Sequence, residues 1–460
     1  MRRRTLGIVT TVALLLGILV GSASGKPGSN GSLIARGGRV SGVARPNARL
    51  SSNVGLTQPA STCSTPGGGN YIADCNSSGR AVNETWIASN ASTYVAGAND
   101  YNSYNGQADW GYYTSDDALT WTDNAPLNLF PEDPNNAAGD PGLAIDAAGV
   151  VYYSGIFFSY VNCNVGGLEL ARRDPSTGTW TYYQVRANSD AEFQDKPAVA
   201  ADGSHVFVSW TLYGSCTGVG VTSPIKVAVF HAGVDSGPPI KVLSVPDSTY
   251  SQGSALATDR RGGFWITWEE FSSPDDLVGE IKLAHYSRQH GWSATQTISP
   301  PEFTDLPSPL PGFAFRNNSF PAITLAAARP RVVWASYDTG RGRVYLWELG
   351  QVTTVSDRGG DQFFPSIATT GQTYAISWSQ TKPSNLSFDQ YLSFGSVFKV
   401  STASSFPNSD PFFAGTFIGD YNGMTAAGNN PHPIWTDTRG PTFDQHAMVY
   451  AAGASRHPIR

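Results

Sequence analysis

One unit recurs seven times along this 460-residue chain, and that recurrence limits the fold more than any other feature. The unit is a polar or acidic residue, a short apolar strand, a Gly/Asp/Asn turn, and a second strand ending in an aromatic. Its copies open at Glu84-Thr85-Trp86-Ile87, Asp140-Pro141-Gly142-Leu143, Asp195-Lys196-Pro197-Ala198, Ser254-Ala255-Leu256, Phe320-Pro321-Ala322-Ile323, Phe364-Pro365-Ser366-Ile367 and Asp420-Tyr421-Asn422-Gly423. Markers at 84, 140, 195, 254, 320, 364 and 420 lie 56, 55, 59, 66, 44 and 56 residues apart, and each interval has room for four short alternating strands. Stacked solenoid coils use shorter repeats with fewer strands. A repeat of this size with almost no helical periodicity specifies an all-β seven-bladed β-propeller of four-stranded antiparallel blades, with six blades as the alternative.

The last copy has a third strand, Ala447-Met448-Val449-Tyr450-Ala451, and few residues after it. An open sheet edge is a liability in a closed ring, so a strand from residues 40 to 80 is expected to complete the seventh blade. Residues 26–80 read as an extended lead-in rich in Gly, Ser, Asn and Arg, and residues 81–460 as a single propeller. Ahead of them, Arg2-Arg3-Arg4, an apolar run from Leu6 to Val20 and the small residues Gly21 to Gly25 form the pattern of a secretory signal peptide over residues 1–25. The apolar run is shorter than the ~20 residues needed to span a bilayer. A secreted, extracellular chain without a membrane span after signal removal is therefore expected, and a monomer.

Export makes cysteine pairing favourable. Cys63 and Cys75 flank a Gly-rich segment, while Cys163 and Cys216 occupy matching places in adjacent repeats, so the expected bonds are 63–75 and 163–216. Four cysteines allow three connectivities, which sequence leaves open. Charged residues are only 14% and the net charge is −6, so no basic footprint for nucleic acid exists. His residues are scattered, no Gly-rich loop joins a strand to a helix, and no spacing suits zinc or an EF-hand, so no cofactor is expected. Carboxylates such as Asp140, Asp195 and Asp420 could hold a structural Ca²⁺, although no spacing identifies the metal.

The first unit contains Thr114-Ser115-Asp116-Asp117-Ala118-Leu119-Thr120-Trp121, with looser traces at Thr179-Trp180 and Gly291-Trp292-Ser293. This segment resembles the S-x-D-x-G-x-T-W Asp-box (BNR repeat) of sialidase-like secreted propellers. The resemblance implies that Asp116 bonds turn amides and Trp121 packs between sheets, on the face away from any ligand. It also implies an exo-sialidase-like glycoside hydrolase, with three arginines for a substrate carboxylate, a Tyr nucleophile activated by Glu, and an Asp acid/base. This chain departs from that family: Phe315-Arg316-Asn317-Asn318 stands in the fifth unit and lacks the family's proline.

Propeller geometry gathers the residues before each first strand and after each second strand around one mouth. The catalytic candidates there are Asp140, Asp195, Glu269 (or Glu84) and Tyr421 (or Tyr337). Substrate-binding candidates are Arg316, Arg341 (or Arg358), Arg439, Asp420, Asp437 and Lys196. The expected function is hydrolysis of an extracellular glycan or glycoprotein at this mouth. Two alternatives are a polysaccharide lyase using Tyr and a basic partner, and a non-catalytic carbohydrate- or protein-binding propeller that uses the mouth aromatics Tyr101, Tyr160, Tyr213, Phe271 and Tyr337 as platforms.

Overall fold

The computed structural model describes residues 61–63, 68–75, 81–101, 108–124, 127, 136–159, 165–214, 222–233, 237–274, 276–439 and 445–452. The expected signal peptide, most of the lead-in, and Cys163 and Cys216 with their expected bond lie outside the described residues.

Seven antiparallel sheets form a ring. Their inner strands are Val82–Ser89, Asn136–Ile145, Phe193–Ala201, Ser251–Thr258, Ala322–Ala326, Gln362–Thr370 and Gly423–Ala427, which define blades one to seven. Each inner strand packs against that of the next blade, and the seventh returns to the first, so the fold is a closed seven-bladed β-propeller. Among the described residues the helical content is the single turn Pro407–Ser409, and no helix is long and apolar enough to cross a membrane.

The strands follow from composition. Inner strands carry Ala, Ser and Thr where they face the axis, because seven strands converge there and larger side chains would collide. They line a central channel of about 370 Å³. Second strands carry the bulk: Trp210, Trp268, Trp334, Trp378 and Trp435 stand at equivalent places in blades three to seven and are buried between sheets. In blade two the equivalent residue is Gly155, and a Cβ there would strike the Trp110 ring at 2.4 Å, so Trp110 fills the space from blade one.

The lead-in supplies two strands. Asn70–Ile72 pairs with His446–Tyr450 as the outer strand of blade seven, and Ser61–Thr62 pairs with Thr122–Asp123 as a fifth strand on blade one. A disulfide joins Cys63 to Cys75. A single short segment therefore spans the junction between the first and last blades.

The turn at residues 114–121, expected to be built on Asp116, is built on its neighbour. Asp117, not Asp116, accepts the amides of Leu119 and Thr120, both at 2.8 Å, and the Ser115 hydroxyl at 3.1 Å; Asp116 is exposed. Burial works to raise the Asp117 carboxyl, but the bonds from Thr120, Leu119 and Ser115 hold it below its ordinary range. Ala118 takes the left-handed conformation (φ 60°) that glycine holds in the motif, and Trp121 is buried with its indole N–H on the Ala118 carbonyl at 3.1 Å.

Candidate functional site

Five of the seven inner strands begin with the same device. In blades one, two, three, four and six a bulge sits near the strand head, and the residue at the bulge has positive φ: Glu84, Asp140, Lys196, Gly253 and Phe364. Strand register makes Phe320 and Tyr421 their counterparts in blades five and seven. A left-handed non-glycine residue costs of order 1–3 kcal/mol, so four side chains held this way are over-determined by their surroundings. The ring reads Glu, Asp, Lys, Gly, Phe, Phe, Tyr: charged on blades one to three, glycine or aromatic on blades four to seven.

The charged arc forms one buried network. Asn99 donates to Glu84 Oε2 at 2.9 Å, and its own Oδ1 accepts the Asp140 amide at 2.9 Å. Asp140 Oδ2 accepts the Lys196 amide at 3.1 Å. The Asp140 charge acts on the carboxyls of both Glu84 and Asp195. From the blade four to five connection, Arg316 grips Asp420 through Nε (2.7 Å) and Nη2, and its Nη2 lies 3.7 Å from Glu84. Four acids thus meet two bases, with Glu84, Asp140, Asp195 and Lys196 buried and the Arg316–Asp420 pair at the edge of the cavity. Burial, reinforced by the Asp140 charge, raises the carboxyls of Glu84 and Asp195 well above their ordinary range. Burial also raises Asp420, against the pull of Arg316, and lowers the Lys196 ammonium.

Lys196 Nζ lies 3.5 Å from the Tyr421 ring centroid, with Trp86 at 5.6 Å and Phe320 at 6.0 Å. Tyr421 donates its hydroxyl to the Pro141 carbonyl at 3.1 Å, and burial, then Glu84 and Asp140, push its phenol well above its ordinary range. A nucleophilic phenol needs the opposite shift.

Two long non-repeat segments, residues 298–321 and 400–422, cross the mouth and close it over this network. They meet through Arg316 N to Thr416 O (3.2 Å) and Asn408 Nδ2 to Gly312 O (3.0 Å), and the Arg316 guanidinium covers the Phe417 ring at 4.5 Å. Beside them, over blades four and five, remains a cavity of about 460 Å³. Gln252, Glu269, Asp305, Arg316, Asn317, Asn318 and Asp420 supply its polar lining; Leu277, Leu306, Pro307, Pro309 and Phe320 supply its apolar lining. Leu277 and Pro309 are exposed at its rim, and Phe320 separates it from the central channel, lining both.

The structure therefore brings Asp140, Asp195, Lys196, Arg316, Asp420 and Tyr421 together, and places Glu269 in the adjoining cavity. Asp437 and Arg439 belong elsewhere. Asp437 accepts the Trp435 indole at 2.8 Å and is chelated by Arg439 at 2.6–2.9 Å. The same Trp-x-acceptor arrangement recurs at Trp268 with Glu270 and Trp378 with Gln380, which marks it as part of the blade. Arg341 lies in the turn between the second and third strands of blade five, outside the cavity lining. The three-arginine cluster implied by the sialidase resemblance is not assembled: Arg316 and Arg439 are each committed to a carboxylate, and Arg341 stands apart.

Asp140, Asp195 and Asp420 do not converge as Ca²⁺ ligands; among the described residues no group of three His, Cys, Asp or Glu is placed to hold a metal ion. Of the expected mouth aromatics, Tyr101, Tyr213 and Phe271 are buried core residues, with Tyr101 packed against Phe412 and Phe413; Tyr337 is half-buried, and Tyr160 lies outside the described residues. Sequence reasoning missed Gln252, Asp305 and the use of Phe320, Asn317 and Asn318 as cavity walls. The available signal was length, since the longest marker interval, 66 residues, exceeds what one blade can use.

No family profile matches the sequence, and no curated protein does. Among solved structures the chain is similar to a protein of unknown function from Dyadobacter fermentans (10% identity, TM-score 0.45, covering 68% of this chain and 94% of that one). It is also similar to the uncomplexed acylaminoacyl peptidase of Pyrococcus horikoshii (8%, 0.46, 83% and 53%) and to Trypanosoma rangeli sialidase in complex with the inhibitor DANA (8%, 0.41, 68% and 55%). The chain spans about half the length of the peptidase and sialidase chains. These likenesses concern the propeller fold and identify no activity.

Proposed function

We propose that this is a secreted propeller that recognises an extracellular glycan in the mouth cavity over blades four and five. The observation that carries the reading is the cavity itself: about 460 Å³, open at Leu277 and Pro309, with amides and carboxylates around a half-buried Phe320. Its volume falls within the ~300–1,000 Å³ usual for small-molecule sites, and its mixture of acceptors, donors and one ring face suits a sugar.

Recognition fits better than hydrolysis. Glycosidases need two accessible carboxyl groups in different protonation states on either side of the scissile bond. Glu84, Asp140 and Asp195 do not line the cavity and Asp420 is bound in bidentate fashion by Arg316, which leaves Glu269 and Asp305 as its carboxylates, and both are buried. Tyr421 is occupied by Pro141 and by the Lys196 ammonium.

The test is a panel of neutral and acidic oligosaccharides measured for both binding and turnover by the purified chain and by its Phe320→Ala and Glu269→Gln variants. The expected outcome is saturable binding without turnover, weakened at least about tenfold by Phe320→Ala. Turnover that disappears in Glu269→Gln would replace this reading with hydrolysis, and absence of binding across the panel would end the glycan reading.

A further inference from the structure

We infer that the central channel is a second ligand site, separate from the glycan cavity, in which Lys196 captures a slim aldehyde or ketone as an imine. The channel is closed at the mouth and open at the opposite face. At its head stand Lys196, Trp86, Phe320 and Tyr421, beneath the charged network. Towards the turns its walls gain exposure: Ile145, Ala201, Ala257 and Ala426 are half-buried, whereas Leu143, Val199, Ala255 and Met424, nearer the head of the same strands, are buried. Ala257, Thr324 and Thr369 also line a hollow of about 400 Å³ on the far face, which the turn residues Ala328 and Gln372 border.

Lys196 belongs to blade three, yet its Nζ lies 3.5 Å from the ring centroid of Tyr421 in blade seven, 5.6 Å from that of Trp86 in blade one and 6.0 Å from that of Phe320 in blade five. A side chain that meets rings from these three blades holds its amine near the ring axis, at the blind end of the channel. The residue is 7% exposed, and its backbone is fixed at φ 47° with its amide on Asp140. Nζ makes no hydrogen bond and no ion pair with the described residues, and it remains in contact with the channel space. Ring faces attract the ammonium but do not replace oxygen acceptors for its N–H donors.

The surroundings select the missing partner. An anion would add its charge to those of Asp140, Glu84, Asp420 and Asp195, which already act on Lys196. A neutral carbonyl brings the acceptor without the charge, and walls rich in alanine leave room for a slim, largely apolar chain behind it. An amine withdrawn from water also holds its proton less tightly, as burial does to Lys196, and so becomes a nucleophile. Its lone pair forms the C–N bond while the carbonyl electron pair moves to oxygen; that oxygen leaves as water with the two amine hydrogens, and C=N remains. No oxidant or reductant takes part.

The experiment exposes the full chain to hexanal with cyanoborohydride, which reduces an imine to a stable secondary amine, and locates the modified lysines by peptide mass spectrometry. Adamantylacetaldehyde serves as the wide control. Hexanal is expected to alkylate Lys196 at least about tenfold faster than the exposed Lys241 and Lys399, while the wide aldehyde modifies those two and spares Lys196. Labelling of Lys196 no faster than of the surface pair overturns the imine, and labelling of Lys196 by both aldehydes overturns the channel as its site. Either result leaves the glycan reading untouched.

Discussion

At the residue scale, the mouth concentrates charge where little solvent reaches it. Glu84 and Asp195 have folded-state pKa values raised well above those of the unfolded chain, first by burial and then by Asp140, and Asp420 is raised by burial. The folded state therefore binds more protons than the unfolded state once pH exceeds about 4, and stability falls as pH rises through the folded-state values. His205 and His432 work in the opposite sense, because burial lowers their folded-state pKa values, but they have finished titrating above about pH 7. Denaturation midpoints are compared at about pH 7 and 9; Lys196, whose ammonium burial lowers, works in the opposite sense over this range, so the carboxyl contribution is read as the difference between the parent and Glu84→Gln. The chain is expected to be less stable at the higher pH, with a smaller difference in Glu84→Gln; an equal or reversed difference would contradict the assignment of buried, proton-holding carboxyls.

At the element scale, the bulge at the strand head determines what each blade offers the mouth. Gly253 is the one member of the ring without a side chain, and at φ 63° a Cβ would lie 2.2 Å from Phe320 Cδ1. Gly253→Ala is expected to cost more than about 1 kcal/mol and to drive Phe320 into the cavity, so melting temperature and glycan affinity should fall together. The turn built on Asp117 gives a second comparison. Asp117→Ala removes three hydrogen bonds and should cost about 1–2 kcal/mol, whereas Asp116→Ala should be nearly neutral; the reverse order in chemical denaturation would restore Asp116 as the residue on which the turn is built.

The strand heads also show how far sequence reaches. The markers at 84, 140, 320 and 364 coincide with the structural ring, while those at 195, 254 and 420 miss it by one residue. A bulge inserts its extra residue without altering the alternation on either side, so pattern alone cannot place it. The apolar repeat that fixed the blade count was visible because burial imposes it on every copy. Residues 298–321 and 400–422 have no such period, and their closure over Arg316 and Asp420 is a tertiary event. The architectural role of Asp437 was written in the recurring Trp-x-acceptor triplet, but only the indole contacts give that triplet its meaning.

At the scale of the whole molecule, ring closure rests on residues 61–75, which edge both blade one and blade seven and are cross-linked by Cys63 and Cys75. Replacing both cysteines by serine should lower stability by about 2–4 kcal/mol, and the loss should appear first as proteolysis at the junction of these two blades. Uniform loosening of all seven blades would contradict a localised clasp.

The pairing of Asn70–Ile72 with His446–Tyr450 also sets an order in time. The strand that completes the circle is synthesised ahead of all seven inner strands, and its partner after them. Middle blades can collapse as they leave the ribosome, but blade seven must wait, and with it the final registry of the mouth. Until then the chain carries an unpaired edge. Closing blade seven therefore requires two distant segments to meet, a long-range search that is intrinsically slower than forming the local hairpins.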